Sequence, residues 1–150
     1  MANVTVSSSK EIRCPIDNVR AQFGDMKHHG EHPVHAKFAV ALDAEDERGC
    51  EFWQQYRLLG LMRRDRIRMD RESDGSLHFT IVEGPSKGTE SFATFESLGP
   101  DATRVEFKTV VPLRGLLALA KPLIKRQLMR ATGHALEEDR IDLEERGYPR

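Results

Sequence analysis

Three features that would each assign a class of protein are absent from this 150-residue sequence: a long apolar run, a pattern of paired cysteines and an excess of one charge. No unbroken apolar stretch exceeds the five residues of 116–120, whereas a membrane-spanning helix needs about 20. The first ten residues have no basic start followed by an apolar block, so we expect no signal peptide.

The two cysteines, Cys14 and Cys50, form no C-x-x-C pair. Without an export signal, we expect both to be reduced thiols in a cytoplasmic protein, buried as small apolar residues rather than joined in a disulfide. The 23 Lys and Arg side chains nearly balance the 24 Asp and Glu side chains, and the net charge of −1 provides no global field that attracts nucleic acid. The 39% of apolar and 31% of charged residues fit a globular chain, and the length predicts one domain over residues 1–150.

Alternation of apolar and polar residues predicts strands at residues 3–13, 36–42, 50–58, 62–71, 77–82, 89–97 and 104–111. Turn signals at Asp74-Gly75, 84–88 and 99–101 separate the later strands, at the spacing typical of an antiparallel meander. Pro15 ends the first strand, and Asp17 can cap a short helix that ends near Gly24. Residues 25–34 form either a loop or a broken second helix.

After Pro112 the apolar period changes from two to between three and four. Pro122 suits the first turn of a helix, where a proline loses no backbone hydrogen bond. These signals predict a long helix from near Lys121 to near Glu145, preceded by a shorter helical turn from Leu113. Its apolar stripe comprises Leu116, Leu117, Ala120, Ile124, Leu128, Ala131, Ala135 and Ile141, and its charged face comprises Lys121, Lys125, Arg126, Arg130, Glu137, Glu138, Asp139 and Arg140.

The predicted fold class is therefore α+β: a curved antiparallel sheet of six to seven strands around a long C-terminal helix, with two short helices after the first strand. A helix of about 24 residues is about 36 Å long, and a sheet with one apolar face buries both by curling round it. Since a curling sheet cannot contact a straight helix along its whole length, we expect a cavity between them.

This order of elements resembles the helix-grip fold of the START-like superfamily, also called SRPBCC or Bet v 1-like. The resemblance is carried by residues 12–19 at the entry to the first helix, 101–107 at the penultimate hairpin and 113–125 at the approach to the last helix. It covers nearly the whole chain and implies a cavity for lipids, sterols, polyketides or similar ligands. Relatives include aromatase/cyclases, carriers and receptors, with a distant branch of Rieske-type oxygenase catalytic domains, so the fold does not fix the function.

The predicted cavity wall combines apolar side chains with a few polar ones. Gln54 and Tyr56 alternate with Phe52 on one strand. Thr109 shares a face with Phe107 on another. Because a buried polar group is costly without a partner, each of the three either bonds within the core or contacts a ligand, and together they favour a pocket. The predicted ligand-binding residues are Phe38, Val40, Phe52, Gln54, Tyr56, Ile67, Met69, Phe79, Ile81, Phe107, Thr109, Leu117, Ile124 and Leu128.

Four histidines, His28, His29, His32 and His35, cluster after the first predicted helix. On a helix, His28 and His32 would share one face with Asp25 one turn earlier, and this pair is the metal-binding alternative. The resemblance to the oxygenase branch implies a further carboxylate from the long helix, for which Glu138 and Asp139 are the candidates. The interpretation we adopt is that of solvated histidines at the rim of the pocket, with no metal or other cofactor. A rise in melting temperature with saturating zinc or ferrous iron would favour the first alternative.

Arginines crowd the strand at 62–71. Arg64, Arg66 and Arg68 fall on its outer face, whereas Arg63 has the parity of the inward residues and reaches either toward the pocket or out to solvent. No aromatic side chains interleave with them for base stacking, so the strand predicts a solvated sheet face and no nucleic-acid partner. The acidic neighbours that reduce the local positive charge are Asp65, Asp70 and Glu72.

The segment 114–126 is apolar between basic ends. It is either the start of the core helix or a lid that opens at a membrane surface, where its leucines insert and its lysines meet lipid phosphates. A transient membrane-surface contact therefore stays open, as does the oligomeric state.

Binding or carrying a small hydrophobic molecule is the predicted function. The alternative is a cyclase or dehydratase of the polyketide type, in which Gln54, Tyr56, Arg63 and a rim histidine would move protons in the cavity. A structural or regulatory interaction module that uses the open sheet face is the third class. Because no Ser/His/Asp set or carboxylate pair can be located on the inward face, binding is favoured over catalysis, and no catalytic residue is assigned.

Overall fold

In the computed structural model, which describes residues 2–58 and 60–149, seven antiparallel strands form one sheet. The strands are β1 Ala2–Ile12, β2 Ala39–Glu45, β3 Gly49–Leu58, β4 Leu61–Arg71, β5 Leu77–Glu83, β6 Glu90–Gly99 and β7 Ala102–Leu113. Their order is β1-β7-β6-β5-β4-β3-β2, so the last strand of the meander lies beside the first strand of the chain. Each predicted strand is present, with bounds that differ by a few residues.

The helices within the described residues are α1 Ile16–Gly24, α2 Met26–Glu31, a 3₁₀ helix at Gly115–Ala120 and α3 Lys121–Glu144. The predicted long helix and its proline in the first turn are confirmed. Residues 25–34 contain a second short helix, because Asp25 caps α2 by accepting a hydrogen bond from the backbone N–H of His28 at 3.0 Å. The predicted cap of α1 is wrong: Pro15 occupies the N-cap position, and Asp17 lies in the first turn, where its charge favours the helix dipole.

The sheet ladders are interrupted at three places, between Leu42 and Ala44, between Arg66 and Ile67, and between Ser97 and Gly99. Such irregularities bend a strand and increase its local twist. They lie in three different strand pairs and so distribute curvature across the sheet. The predicted fold class, an α+β helix-grip fold with a curved sheet around a long C-terminal helix, is confirmed.

Two clusters of buried apolar residues lie between the sheet and the helices. The larger cluster joins Phe23 of α1, Phe52 of β3 and Leu136 of α3. The smaller one lies where the end of β7 meets the start of β1 and of α3. Its buried members are Val4, Val6, Leu113 and Ile124. Since α3 lies mainly along β1, which contributes to both clusters, the interior is closed on that side.

The predicted faces of the C-terminal helical region are right in part. Ile124 is buried at 1% exposure, as its place in the stripe predicts. Leu116 is wrongly assigned to the stripe and is 83% exposed. The 3₁₀ helix turns Leu116 and Leu119, three residues apart, to the same outer side while Leu117 packs on the smaller cluster. Asp139, assigned to the charged face, is only 4% exposed, because this part of α3 faces polar side chains of α1 and α2.

Both cysteines are free and buried, as predicted. Burial raises the pKa of the Cys50 thiol to about 11, so the thiol stays protonated and packs as a small apolar side chain. No helix among residues 2–58 and 60–149 has the length and apolarity of a membrane span.

Candidate functional site

Several inward-facing side chains that pack against the two buried clusters are only half-buried. Phe79 of β5 and Phe107 of β7 have ring centroids 5.9 Å apart, and neither is fully enclosed. Leu117 and Leu128 pack against the smaller cluster and are half-buried as well. Protein interiors are close-packed, so half-buried apolar side chains on the inward face are the ones that a bound molecule could contact. We call the region that these side chains border the gap.

The 14 predicted ligand-binding residues divide into a buried group and a half-buried group. Those that are buried are Phe52, Ile67, Met69, Thr109 and Ile124. Those that are half-buried are Phe38, Val40, Gln54, Tyr56, Phe79, Ile81, Phe107, Leu117 and Leu128. Their contact with a ligand stays a prediction.

A polar network holds the hydroxyl of Tyr56. This hydroxyl donates a hydrogen bond to Asp65 Oδ2 at 2.6 Å and lies 2.7 Å from Ser86 Oγ. The backbone N–H of Ser86 donates to the other oxygen, Asp65 Oδ1, at 3.1 Å. Burial above all, reinforced by the hydrogen bond to Asp65, raises the pKa of Tyr56 to about 12. The phenol is therefore neutral at physiological pH.

Asp65 is a site residue that the sequence analysis misplaced. It was grouped with the acidic neighbours of the arginines, yet it is 0% exposed and lies on the inward side with Ile67. Gly84 makes room for its carboxylate, because a Cβ at that position would collide with Asp65 Oδ1, and the φ of +117° also favours glycine. The sequence did contain a signal for this position: Asp65 lies two residues before Ile67, and alternation along β4 places both side chains on the same face.

The other predicted polar wall residues differ in how they are placed. Thr109 has a partner inside the sheet, since its hydroxyl lies 2.9 Å from that of Ser91. Gln54 is half-buried and sits opposite Asp65 in the strand register. Arg63, also half-buried, sits opposite Tyr56. The network of Tyr56 therefore lies in a row of polar side chains on the inward face of β3 and β4.

A layer of histidines and carboxylates lies between α1, α2 and the C-terminal half of α3. His28 Nε2 lies 2.8 Å from Asp142 Oδ2, and His29 Nε2 lies 3.3 Å from Asp139 Oδ1. The Gln22 side-chain amide donates to both carboxylates, at 3.1 Å to Asp139 and 3.0 Å to Asp142. His28 and His29 are 6% and 8% exposed, so the predicted solvated histidines at the rim are wrong for these two.

The structure brings together a different histidine pair from the one that the spacing suggests. The rings of His28 and His32 are near each other, with centroids 4.9 Å apart, but His28 Nε2 bonds to Asp142. Within the described part of the chain, the ligand-type atoms that converge within 4.8 Å belong to His29, His35 and Asp139. A helical spacing of four cannot reveal this group, because His35 lies beyond the end of α2.

Two contacts connect this layer to the gap. The ring centroid of His35 lies 5.8 Å from that of Phe38, and the ring centroid of Phe38 lies 6.3 Å from that of Tyr56. Burial opposes protonation of His29, but the hydrogen bond to Asp139, the negative charge of Asp139 and the carbonyl of Asp25, with a smaller effect of Asp142, together raise the pKa of His29.

The arginines on the outer face of β4 contact partners within the sheet, as expected for a solvated face. Arg64 stacks over the ring of Trp53 at 4.2 Å. Arg66 pairs with Asp43 at 2.7 Å, and Arg68 is paired as well.

A separate open cleft of about 340 Å³ lies at the junction of α1, α2 and β3. Its lining includes Gly24, Asp25, Cys50, Arg71 and Tyr148, and it shares no residue with the predicted wall of the gap. The high pKa of the Cys50 thiol argues against nucleophilic chemistry there.

No family model and no curated protein matches the chain. Solved structures do match it over nearly its whole length. They include TTHA0849 from Thermus thermophilus, with a TM-score of 0.82, 16% identity and coverage of 91% of this chain and 94% of that one. The Zhui aromatase/cyclase from Streptomyces sp. R1128 has a TM-score of 0.78, 12% identity and coverage of 97% and 99%. A START superfamily protein from Mycobacterium smegmatis has a TM-score of 0.69, 15% identity and coverage of 95% of both chains.

At these identities the likeness concerns the fold alone. This chain has the START-like, or Bet v 1-like, helix-grip fold that its sequence resembles.

Proposed function

We propose that this chain binds a small hydrophobic molecule in the gap between the sheet and α3, and that it carries the molecule without transforming it. The observation that supports the proposal is the set of half-buried apolar side chains, among them Phe79 and Phe107, that pack against the two buried clusters. Each square ångström of apolar surface that a ligand covers there contributes about 25 cal/mol. Apolar side chains outnumber polar ones along the gap, which favours a lipid, polyketide or similar ligand.

Catalysis of the cyclase type is the second candidate, and the Tyr56 network is the observation that favours it. A neutral phenol beside an apolar wall can donate a hydrogen bond to a ligand carbonyl. In this structure the phenol proton already bonds to the buried carboxylate of Asp65. A catalytic role would require that bond to be exchanged, so binding remains the first candidate.

A transient contact with a membrane surface belongs to the same proposal. Leu116, Leu119 and Leu123 are 83%, 81% and 55% exposed, and the exposed Lys121 and Lys125 lie beside them in sequence. Exposed leucines flanked by lysines fit an anionic lipid surface, from which an apolar ligand could enter the gap. The free thiols support a reducing compartment such as the cytoplasm.

Binding of 1-anilinonaphthalene-8-sulfonate, a fluorescent apolar probe, tests the proposal. Phe107→Arg places a charge in the gap, whereas Phe92→Arg places the same charge on the other face of the neighbouring strand, where Phe92 stacks on His78. We expect the first variant to weaken probe binding at least about tenfold, that is by about 1.4 kcal/mol, and the second to leave it unchanged. Equal binding by wild type and a folded Phe107→Arg would contradict a site in the gap. If the probe binds in the gap, native mass spectrometry of protein purified from its own source would identify the retained molecule.

A second experiment distinguishes a carrier from a cyclase. A linear poly-β-ketone thioester is incubated with wild type and with Tyr56→Phe, and its mass is followed. A carrier leaves the mass unchanged. Loss of water on carbon–carbon bond formation, abolished in Tyr56→Phe but not accompanied by lost probe binding, would establish the second candidate.

A further inference from the structure

The group formed by His29, His35 and Asp139 has no role in the proposed binding function. It joins α2, the segment after α2 and α3 through three side chains whose ligand-type atoms lie within 4.8 Å of one another. Asp139 is 4% exposed, His29 is 8% exposed and the His35 side chain is 12% exposed. Three potential ligands thus converge in a largely buried place, and His35 is the most exposed of them.

The hydrogen bonds of the two imidazoles fix which nitrogen atoms carry protons. His29 Nδ1 lies 2.8 Å from the backbone carbonyl oxygen of Asp25, which can only accept, so His29 Nδ1–H donates. His35 Nδ1 lies 3.2 Å from the carboxylate oxygen Glu138 Oε1, so His35 Nδ1–H donates as well. In both neutral rings the lone pair is therefore on Nε2. Both Nε2 atoms face the same oxygen, Asp139 Oδ1, at 3.3 Å and 3.4 Å.

Three acceptors that face one another without a hydrogen atom repel, so a cation has to lie among them. A single proton on His29 would satisfy one contact and leave the lone pair of His35 against the carboxylate. Protons on both rings would place two imidazolium ions in stacked contact, at the centroid distance of 5.3 Å. One divalent cation would satisfy all three groups at once.

The distances also fit a metal ion better than protons. Charge-assisted N–H···O⁻ hydrogen bonds are about 2.7–2.9 Å long, which is shorter than both contacts to Asp139 Oδ1. Two ligand atoms that are each about 2.05 Å from a tetrahedral zinc ion are about 3.35 Å apart.

The groups behind the three side chains resemble the outer shell of metal sites. Metal-binding histidines usually donate their second ring N–H to a carbonyl or carboxylate, as His29 does to Asp25 and His35 to Glu138. The Gln22 side-chain amide donates to Asp139 Oδ1 at 3.1 Å and fixes the carboxylate. Glu138 is itself held, since its Oε2 accepts the backbone N–H of Ala36 at 2.9 Å.

We propose that His29 Nε2, His35 Nε2 and Asp139 Oδ1 bind one divalent transition-metal ion such as Zn²⁺, with a fourth position open on the His35 side. Two imidazoles and a carboxylate are ligands that suit zinc and its neighbours in the first transition row. Because His35 contacts Phe38, the ion would lie one residue from the wall of the gap.

Zinc titration of the chelator-treated 150-residue chain, against a chromophoric competitor, tests the site. We expect one equivalent of Zn²⁺ to bind with a Kd of about 1 µM or tighter. His35→Gln and Asp139→Asn should weaken binding by about 100-fold, and Glu138→Gln, which removes only the support of His35, by about tenfold. The matched control is His78→Gln, because His78 Nε2 lies 3.0 Å from Glu90 on the outer sheet face, where it can bind zinc only as a surface residue. His78→Gln should leave the affinity unchanged.

A second measurement needs no variant and decides the question if a variant fails to fold. Nuclear magnetic resonance of ¹⁵N-labelled histidine rings should show Nε2 of His29 and His35 shifting on zinc addition, with both Nδ1–H groups retained. The proposal is overturned by any of three results: no zinc bound at about 100 µM, equal affinity of wild type and folded His35→Gln, or shifts confined to His78, His134 and other exposed rings. Cobalt in place of zinc should give the intense visible bands of a four-coordinate ion, and their absence from a cobalt-loaded protein would exclude the proposed coordination.

Discussion

At the scale of single residues, both tyrosines of this chain donate to carboxylates that are partly or wholly shielded from water. Tyr56 bonds to Asp65 at 2.6 Å, and Tyr148 bonds to Asp25 Oδ2 at 2.7 Å with its ring against His28. Burial and the neighbouring negative charge raise the pKa of both phenols, that of Tyr56 to about 12. The folded structure therefore holds each phenol proton in a hydrogen bond to a carboxylate.

Alkaline titration of tyrosine absorbance should therefore differ between the folded and the unfolded chain. At about pH 11 most tyrosine in the guanidinium-unfolded protein, with a pKa of about 10, is ionised, whereas the native protein should show little tyrosinate. The folded state keeps tyrosine protons that the unfolded state releases. The contribution of these protons to the free energy of unfolding is therefore fully present below about pH 10 and is lost as pH rises through the folded pKa near 12. Arg63 near Tyr56 acts in the opposite direction but is the smallest of its influences. A midpoint near 10 in the native protein would contradict the two hydrogen bonds.

Two aspartates show where residue-level prediction stops. Asp65 had the parity of an inward residue, but charge alone suggested the surface. Asp139 interrupts an apolar stripe and was assigned to the charged face of α3. Both are buried because each meets partners from other elements. Ser86 and Tyr56 donate to Asp65, and the Gln22 amide donates to Asp139, which also faces His29 Nε2. Periodicity describes one element at a time and cannot detect such partners.

At the scale of elements, the 3₁₀ helix before α3 separates inner from outer leucines. Leu117 packs on the smaller cluster, while Leu116 and Leu119 are exposed above 80%. The α-helical stripe predicted for this stretch gave Leu116 the wrong side, because residues three apart eclipse each other in a 3₁₀ helix. The element exposes apolar surface where the chain turns into α3, next to the lysines of its first turns.

Vesicle flotation tests whether this exposed surface binds lipid. We expect the protein to float with vesicles that contain anionic lipid and to remain below with neutral ones, because each lysine near the surface contributes about 1 kcal/mol. Leu116→Ser with Leu119→Ser should remove flotation, since each leucine loses the burial of about 2 kcal/mol. Leu98→Ser, at a 39% exposed leucine in β6, is the control and should float like wild type. Flotation that persists in the double variant would assign lipid binding to another surface.

At the scale of the whole molecule, the sequence predicts the fold, but it predicts the packing of the interior only in outline. Strand periods, glycine turns and one long amphipathic helix predict the helix-grip, because these signals are local and agree with one another. The periods of strands and helix predict the 14 wall residues, but only the structure divides them into a buried group such as Ile124 and a half-buried group such as Leu128. That division depends on where α3 lies against the sheet. No period in the sequence encodes the distance between them.

The division between packed and accessible residues can be measured with one pair of substitutions in α3. Ile124 is 1% exposed within the smaller cluster, so Ile124→Ala should cost about 3 kcal/mol of unfolding free energy. Leu128, one helical turn later, is half-buried at the gap, and Leu128→Ala should cost about 1 kcal/mol because fewer contacts are lost. Denaturant unfolding of both variants gives these values. Probe binding should respond in the opposite order, with Leu128→Ala changing the affinity and Ile124→Ala leaving it near that of wild type. If both variants lose the same stability and neither alters probe binding, Leu128 is part of a continuous core, and the gap does not extend to α3.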